Sequence, residues 1–208
     1  MNKQKLSHEE QKAKEEALRK LFVQNNKRLS AIIKPLRQSV YSCDHDWSYV
    51  TRALEGYAKD YGMLELNPDF QRGHVWTHDQ QVHYIENALR GIVAQSAFVV
   101  QFNCPNWDNE NYTGDLPKGF QCIDGLQRLT AVEKFFAGDV RPFGLVPDDL
   151  NVSSFAVKTR FRFKFEIFNF QIKADLLRHY LDLNAGGTPH SKEEIERVRK
   201  MLSDASVA

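Results

Sequence analysis

The segment that most limits the fold is Phe120–Ile123, a short apolar run that ends abruptly in Asp124-Gly125 and is followed by LQRLTAVEKFFAG. Leu129, Val132 and Phe136 recur at helical spacing after the glycine, so the segment reads as a buried strand turning directly into a helix. A glycine there tolerates a positive φ and lets backbone amides approach an anion closely, and the first turn of the helix adds unpaired N–H groups. Arg128 in that first turn carries a planar donor fork suited to phosphate. Asp124, just before the turn, offers a carboxylate that could hold a hydrated Mg²⁺ against the phosphates. Gln127 lies between them, and the three are the candidate catalytic residues. The same pattern also fits a plain tight turn whose arginine pairs with a surface carboxylate.

Strands and helices alternate along the rest of the chain, which predicts an α+β domain with a mixed sheet and flanking helices. Arg160–Ile167 alternates strictly, with Phe161, Phe163, Phe165 and Ile167 on one face and Arg160, Arg162, Lys164 and Glu166 on the other: a half-buried strand. Residues 96–104 (SAFVVQFNC) read as another buried strand, and Leu64 and Leu66 as a short one. Helices are expected at residues 46–61, opened by Asp46, and after Thr77 as N-cap with Gly91 as terminator. Two more are expected near 172–183 and 192–203. Residues 105–119 are turn-forming and polar, a surface loop. Ser7 and Glu10 form a capping box for an N-terminal helix whose Leu18, Leu21, Phe22, Leu29, Ile32 and Ile33 share a face. That face serves either docking or a partner protein. The expected division is an arm over residues 1–42 and a domain over 43–208.

Charge and cysteine content exclude several classes. The formal net charge is +1, so any basic site must be local. Cys43, Cys104 and Cys122 form no CxxC pattern, which argues against structural zinc or a dithiol site. An odd count without an export signal suits a reducing cytosol, so a cytoplasmic location is expected. No apolar run approaches the roughly 20 residues needed to span a bilayer, and no membrane role is expected. The Arg160, Arg162 and Lys164 stripe is either a solvated strand face or a track for a nucleic-acid backbone.

Three motifs in fixed order carry a resemblance. Phe70-Gln71-Arg72 is followed by Trp76, then comes Asp124-Gly125-Leu126-Gln127-Arg128-Leu129-Thr130, then Asn184-Ala185-Gly186-Gly187-Thr188-Pro189. Together they resemble the N-terminal domain family of GmrSD-type restriction endonucleases. Gly125 to Ala131 also fits the Gly-x-x-Arg-x-x-Ala signature of the ParB/sulfiredoxin-like superfamily, whose members bind nucleotide phosphates there. The resemblance covers roughly residues 45–195. It implies that Gln71, Arg72, Gly125, Arg128, Asn184, Gly186, Gly187 and Thr188 surround the phosphates of a nucleoside triphosphate, with Mg²⁺ as cofactor. Gln71 would orient a water or a nucleotide oxygen. The alternative for Arg72 is a cation–π pair over Trp76, and for 184–189 a helix C-cap and loop. Two positions depart from the family pattern: Leu126 replaces a Gln, and Asp182 stands where an Arg is usual. Both are expected to remove polar groups from near the phosphates. Larger members carry a further C-terminal His-Asn-His nuclease domain, for which the residues after Ile195 are expected to leave no room.

The resemblance implies a domain that binds, and slowly hydrolyses, a nucleoside triphosphate in DNA restriction, defence or counter-defence. Its partners would be the nucleotide, DNA, and a nuclease subunit or other protein reached through the N-terminal helix, with oligomer formation open. The alternatives are a non-catalytic protein- or DNA-binding module and a small stand-alone DNA endonuclease.

Overall fold

The structure, a computed structural model, describes residues 8–71, 73, 75–185 and 192–206. Its contacts divide the chain into a unit up to Arg37 and a unit from Gln38 onward. The first holds α1 (His8–Ile33), in which no residue is buried and Leu18, Phe22, Ile32 and Ile33 are exposed.

The second unit is built on a five-stranded sheet of β1 (Tyr41–Asp46), β2 (Leu64–Glu65), β3 (Val99–Asn103), β4 (Phe120–Asp124) and β5 (Arg162–Phe168). Its order is β1-β5-β3-β4-β2. The pairs β1–β5 and β3–β4 are antiparallel, whereas β3–β5 and β2–β4 are parallel. The sheet is therefore mixed, and the fold is α+β as expected. Around it lie α2 (Val50–Tyr61), α3 (His78–Arg90), α4 (Leu126–Ala137), the single turn α5 (Val157–Arg160), α6 (Lys173–Ala185) and α7 (Lys192–Ala205).

Both faces of β4 are covered, which explains why its sequence is so apolar. Phe120 and Cys122 belong to a core with Trp47, Ile85, Val100, Leu129, Phe135 and Phe165. Ile123, one residue further along and so on the opposite face, joins a second core with Phe70, Phe168, Leu177, Tyr180 and Val198. Burying each such side chain contributes about 1.5–3 kcal/mol. The strand end that delivers Asp124 and Gly125 is thus fixed from above and below.

Several boundaries differ from expectation. β1 is an edge strand of sequence YSCDHD, too polar to read as a strand, which forms because its backbone pairs with β5 from Tyr41↔Ile167 to Asp46↔Arg162. The expected domain boundary after residue 42 falls inside it. Asp46 stands at the N-cap of a 3₁₀ turn over Trp47–Tyr49 but makes no side-chain cap bond, and α2 begins only at Val50. Residues 95–98 form a 3₁₀ turn before β3. Arg160 lies in α5 rather than on the strand face, although Phe161, Phe163, Phe165 and Ile167 are all buried as the alternation required. The loop over 105–119 is largely exposed, but Tyr112 and Leu116 anchor it in the second core. Thr77 caps α3 in a reciprocal box with Gln80, and Gly91 ends that helix at φ 76°.

Candidate functional site

The turn between β4 and α4 is the centre of the candidate site. Gly125 sits at φ 102°, ψ 1°, and α4 starts at the next residue. A Cβ at Gly125 would lie 3.0 Å from Val100 Cγ2 and 3.1 Å from its Cα, so the turn needs glycine for both conformation and space. Gly125 at the N-cap has no side chain with which to cap α4, and the Leu126 amide is directed at the buried Cys122 sulfur. The first-turn amides of α4 are the groups on which the sequence-based expectation of an anion site rests. Leu126 is 7% exposed and lies in the main core. The expectation that this leucine strips a polar group from the phosphates is corrected: the position points inward, where leucine is the favourable residue.

Asp124 and Arg128 form an ion pair through Asp124 Oδ2 and Arg128 Nη2. The Nη1 end of the same guanidinium donates to the Ser96 carbonyl at 3.0 Å. The arginine side chain is 15% exposed and the aspartate 47%. This is the turn with a self-paired arginine that the sequence left open. Beneath it, burial pushes the Cys122 thiol well above its ordinary range. That suits a packing residue, not a nucleophile.

The two glutamines prove to be braces. Gln127 Oε1 accepts from the amides of Val75 and Trp76, each at 3.0 Å, and Gln127 Nε2 donates to the Gly73 carbonyl at 2.7 Å. Gln71 Nε2 donates to the carbonyls of Cys122 at 3.0 Å and Ile123 at 2.7 Å. Gln127 is therefore committed to backbone through both ends of its amide, and Gln71 through its Nε2, which gives each glutamine a structural task. Their effect is to bind the 71–76 segment to the end of β4 and the start of α4. Trp76 is half-buried against Tyr84, with ring centroids 5.5 Å apart.

A residue that no sequence motif indicated completes this bracing. Arg197, on α7, donates to the carbonyls of Asp69, Phe70 (3.2 Å) and Gln71 (3.0 Å). Beside it opens a cavity of about 650 Å³ lined by Asn67, Gln71, Gly73, Val75, Glu193, Glu194 and Arg197. In the sequence Arg197 is one charge among many in KEEIERVRK, so nothing marks it out.

Of the remaining predicted residues, Asn184 bonds within its own helix, donating to the Tyr180 carbonyl at 2.7 Å. Arg72, Gly186, Gly187 and Thr188 lie outside the described residues. Asp182 is exposed on α6. The basic stripe is largely neutralised: Arg162 pairs with Asp46 at 2.8 Å and Lys164 with Glu166 at 3.1 Å. Arg160 packs over the rings of Phe155 and Phe161. Among the described residues no group of three or more His, Cys, Asp or Glu side chains could hold a metal ion. None of the described helices is long and apolar enough to cross a membrane.

Over residues 50–204 the sequence matches the family described as GmrSD restriction endonuclease, N-terminal domain. The chain belongs to this family. For a GmrSD N-terminal domain, the geometry gives two of the three motifs a joint physical meaning. The Gln71 and Gln127 amides hold the first motif against the second, and Gly125 provides the turn. Membership connects the chain with restriction. No curated protein and no solved structure matches the chain.

Proposed function

We propose that this GmrSD N-terminal domain serves restriction as a nucleotide-binding unit, taking a nucleoside triphosphate with Mg²⁺ by its phosphates at the turn between β4 and α4. The observation that carries the reading is the uncapped start of α4 beside Arg128, with the 71–76 segment bound over it by Gln127. Uncapped amides and an arginine fork are what an anion of high charge requires. The ion pair with Asp124 keeps Arg128 oriented until the ligand arrives. A phosphate would then exchange one anion for another at the guanidinium, freeing Asp124 for the metal. Asp124 is half exposed and suits this role. With no larger donor cluster, the remaining oxygens would come from phosphates and water, as is usual for Mg²⁺. A ParB/sulfiredoxin-like relationship agrees with this placement. DNA and a nuclease subunit are the partners that the restriction setting implies.

One observation favours a second reading, in which the domain binds nucleotide as a switch and does not turn it over. The Gln127 amide is spent on three backbone groups and is not free to orient an attacking water.

A thermal-shift screen of the four ribonucleoside triphosphates, each with and without Mg²⁺, tests the proposal. Ligand at about 100 times its dissociation constant adds about 2.7 kcal/mol, a readily measured rise in melting temperature. No shift with any nucleotide would reject the nucleotide reading. Phosphate release by a nucleotide that does bind separates the hydrolase from the switch.

A further inference from the structure

We infer that the cavity between α7 and residues Asn67, Gln71, Gly73 and Val75 receives the nucleoside end of the nucleotide, and that Arg197 is the positioning residue that holds its wall in place. The inference rests on the nucleotide reading above and adds a direction to it: phosphates at the β4–α4 turn, sugar and base toward α7. Continuity comes first. Two residues of the cavity wall bond directly to the phosphate-side elements, Gln71 to the Cys122 and Ile123 carbonyls and Gly73 to Gln127. The cavity therefore opens beside the end of β4 and the start of α4. Size comes second. Its volume of about 650 Å³ falls within the roughly 300–1,000 Å³ of ordinary small-molecule sites.

Charge sets the orientation. Glu193 and Glu194 line the wall, and their negative charge disfavours phosphates there while suiting the hydrogen-bond donors of a sugar or base. The only cation among the described lining residues is Arg197, and its guanidinium is engaged by three consecutive carbonyls of residues 69–71. It acts as a strut between α7 and the segment that leads to Gly73 and Val75. It is not placed to serve as a phosphate ligand. Val198, fully buried next to it in the second core, keeps α7 seated when the strut is removed.

The test compares inorganic tripolyphosphate with the tightest-binding ribonucleoside triphosphate and its 2′-deoxy form. Each is titrated by calorimetry into the wild type, Arg197→Ala, Arg197→Lys and Glu193→Ala. In the wild type the nucleotide is expected to bind at least about tenfold more tightly than tripolyphosphate, a gain the size of one or two hydrogen bonds. Arg197→Ala should erase most of that gain and leave tripolyphosphate affinity unchanged. Arg197→Lys should restore it only partly, because one ammonium cannot span three carbonyls. The exposed Glu193→Ala, which should fold normally, should lower nucleotide but not tripolyphosphate affinity. Equal wild-type affinity for tripolyphosphate and nucleotide overturns the inference while the phosphate site stands. So does a gain that survives all the substitutions. If neither ligand binds, the nucleotide reading fails and the inference falls with it.

Discussion

Gln127 and Gly73 are 54 residues apart, yet the Gln127 Nε2 donates to the Gly73 carbonyl at 2.7 Å. With the two amide hydrogen bonds from Val75 and Trp76 to its oxygen, this one side chain satisfies three backbone groups of a segment whose described residues form no helix or strand. Gln127→Ala should therefore destabilise the domain by about 1–3 kcal/mol, the range for stranding partly buried polar groups. Urea denaturation gives the magnitude. Hydrogen exchange gives the location, with the Val75 and Trp76 amides expected to lose protection first. A variant as stable and as protected as the wild type would show that the brace carries no weight.

Asp124→Asn separates pairing from metal binding. The pair is partly solvent-exposed, so its loss should cost less than about 1 kcal/mol of stability. The substitution frees Arg128 from a competing anion. Metal-free affinity for nucleotide should hold or rise, and the Mg²⁺-dependent part should vanish. A parallel loss of both would mean that the aspartate shapes the turn itself.

Gly125→Ala should be far more damaging than its size suggests. The residue sits at φ 102°, and an added methyl group would press on the Val100 backbone. Strain of this kind costs about 1–3 kcal/mol before any crowding is added. The melting temperature should fall by several degrees. An unchanged value would show that the turn can be rebuilt without positive φ.

Glu133, on α4, gives a pH signature. Partial burial raises its carboxyl above the ordinary value of 4.5. A group whose folded pKa is raised contributes stability below the unfolded value, and that contribution is lost as pH rises through the folded one. Glu133→Gln cannot ionise and avoids this loss. The variant should gain on the wild type as pH rises from below 4.5, then level off at neutral pH. Denaturation midpoints measured from pH 3.5 to 8 would show it. A difference that does not change with pH would contradict the burial effect.

Much of the fold could be read from residue pattern because the informative segments are buried on one or both faces. β4 with its glycine turn and β5 with alternating phenylalanines left little choice. The Thr77 and Gly91 caps of α3 were equally legible, since capping is a local matter of a few residues. β1 was not legible: its identity lies in backbone pairing with a strand far later in the chain, from Tyr41↔Ile167 to Asp46↔Arg162, and its polar side chains reflect an edge position. At the site, sequence located the turn and its candidate cation and left open an arginine paired with a carboxylate, but did not single out Asp124 as the partner. The purpose of Gln71 and Gln127 was also hidden, because a brace is defined by its long-range partners. Arg197 carried no signal at all, lying in a helix where charged residues are ordinary.

Whether Arg128 receives phosphate decides whether the β4–α4 turn is a nucleotide site. Isothermal titration of the best-binding nucleoside triphosphate with Mg²⁺ into wild type and Arg128→Ala tests this directly. The wild type should bind saturably, one to one. In the variant a loss of at least about tenfold is expected, since charge-assisted hydrogen bonds contribute about 1.5–3 kcal/mol. Wild-type affinity in a folded Arg128→Ala protein would contradict a nucleotide site at this turn.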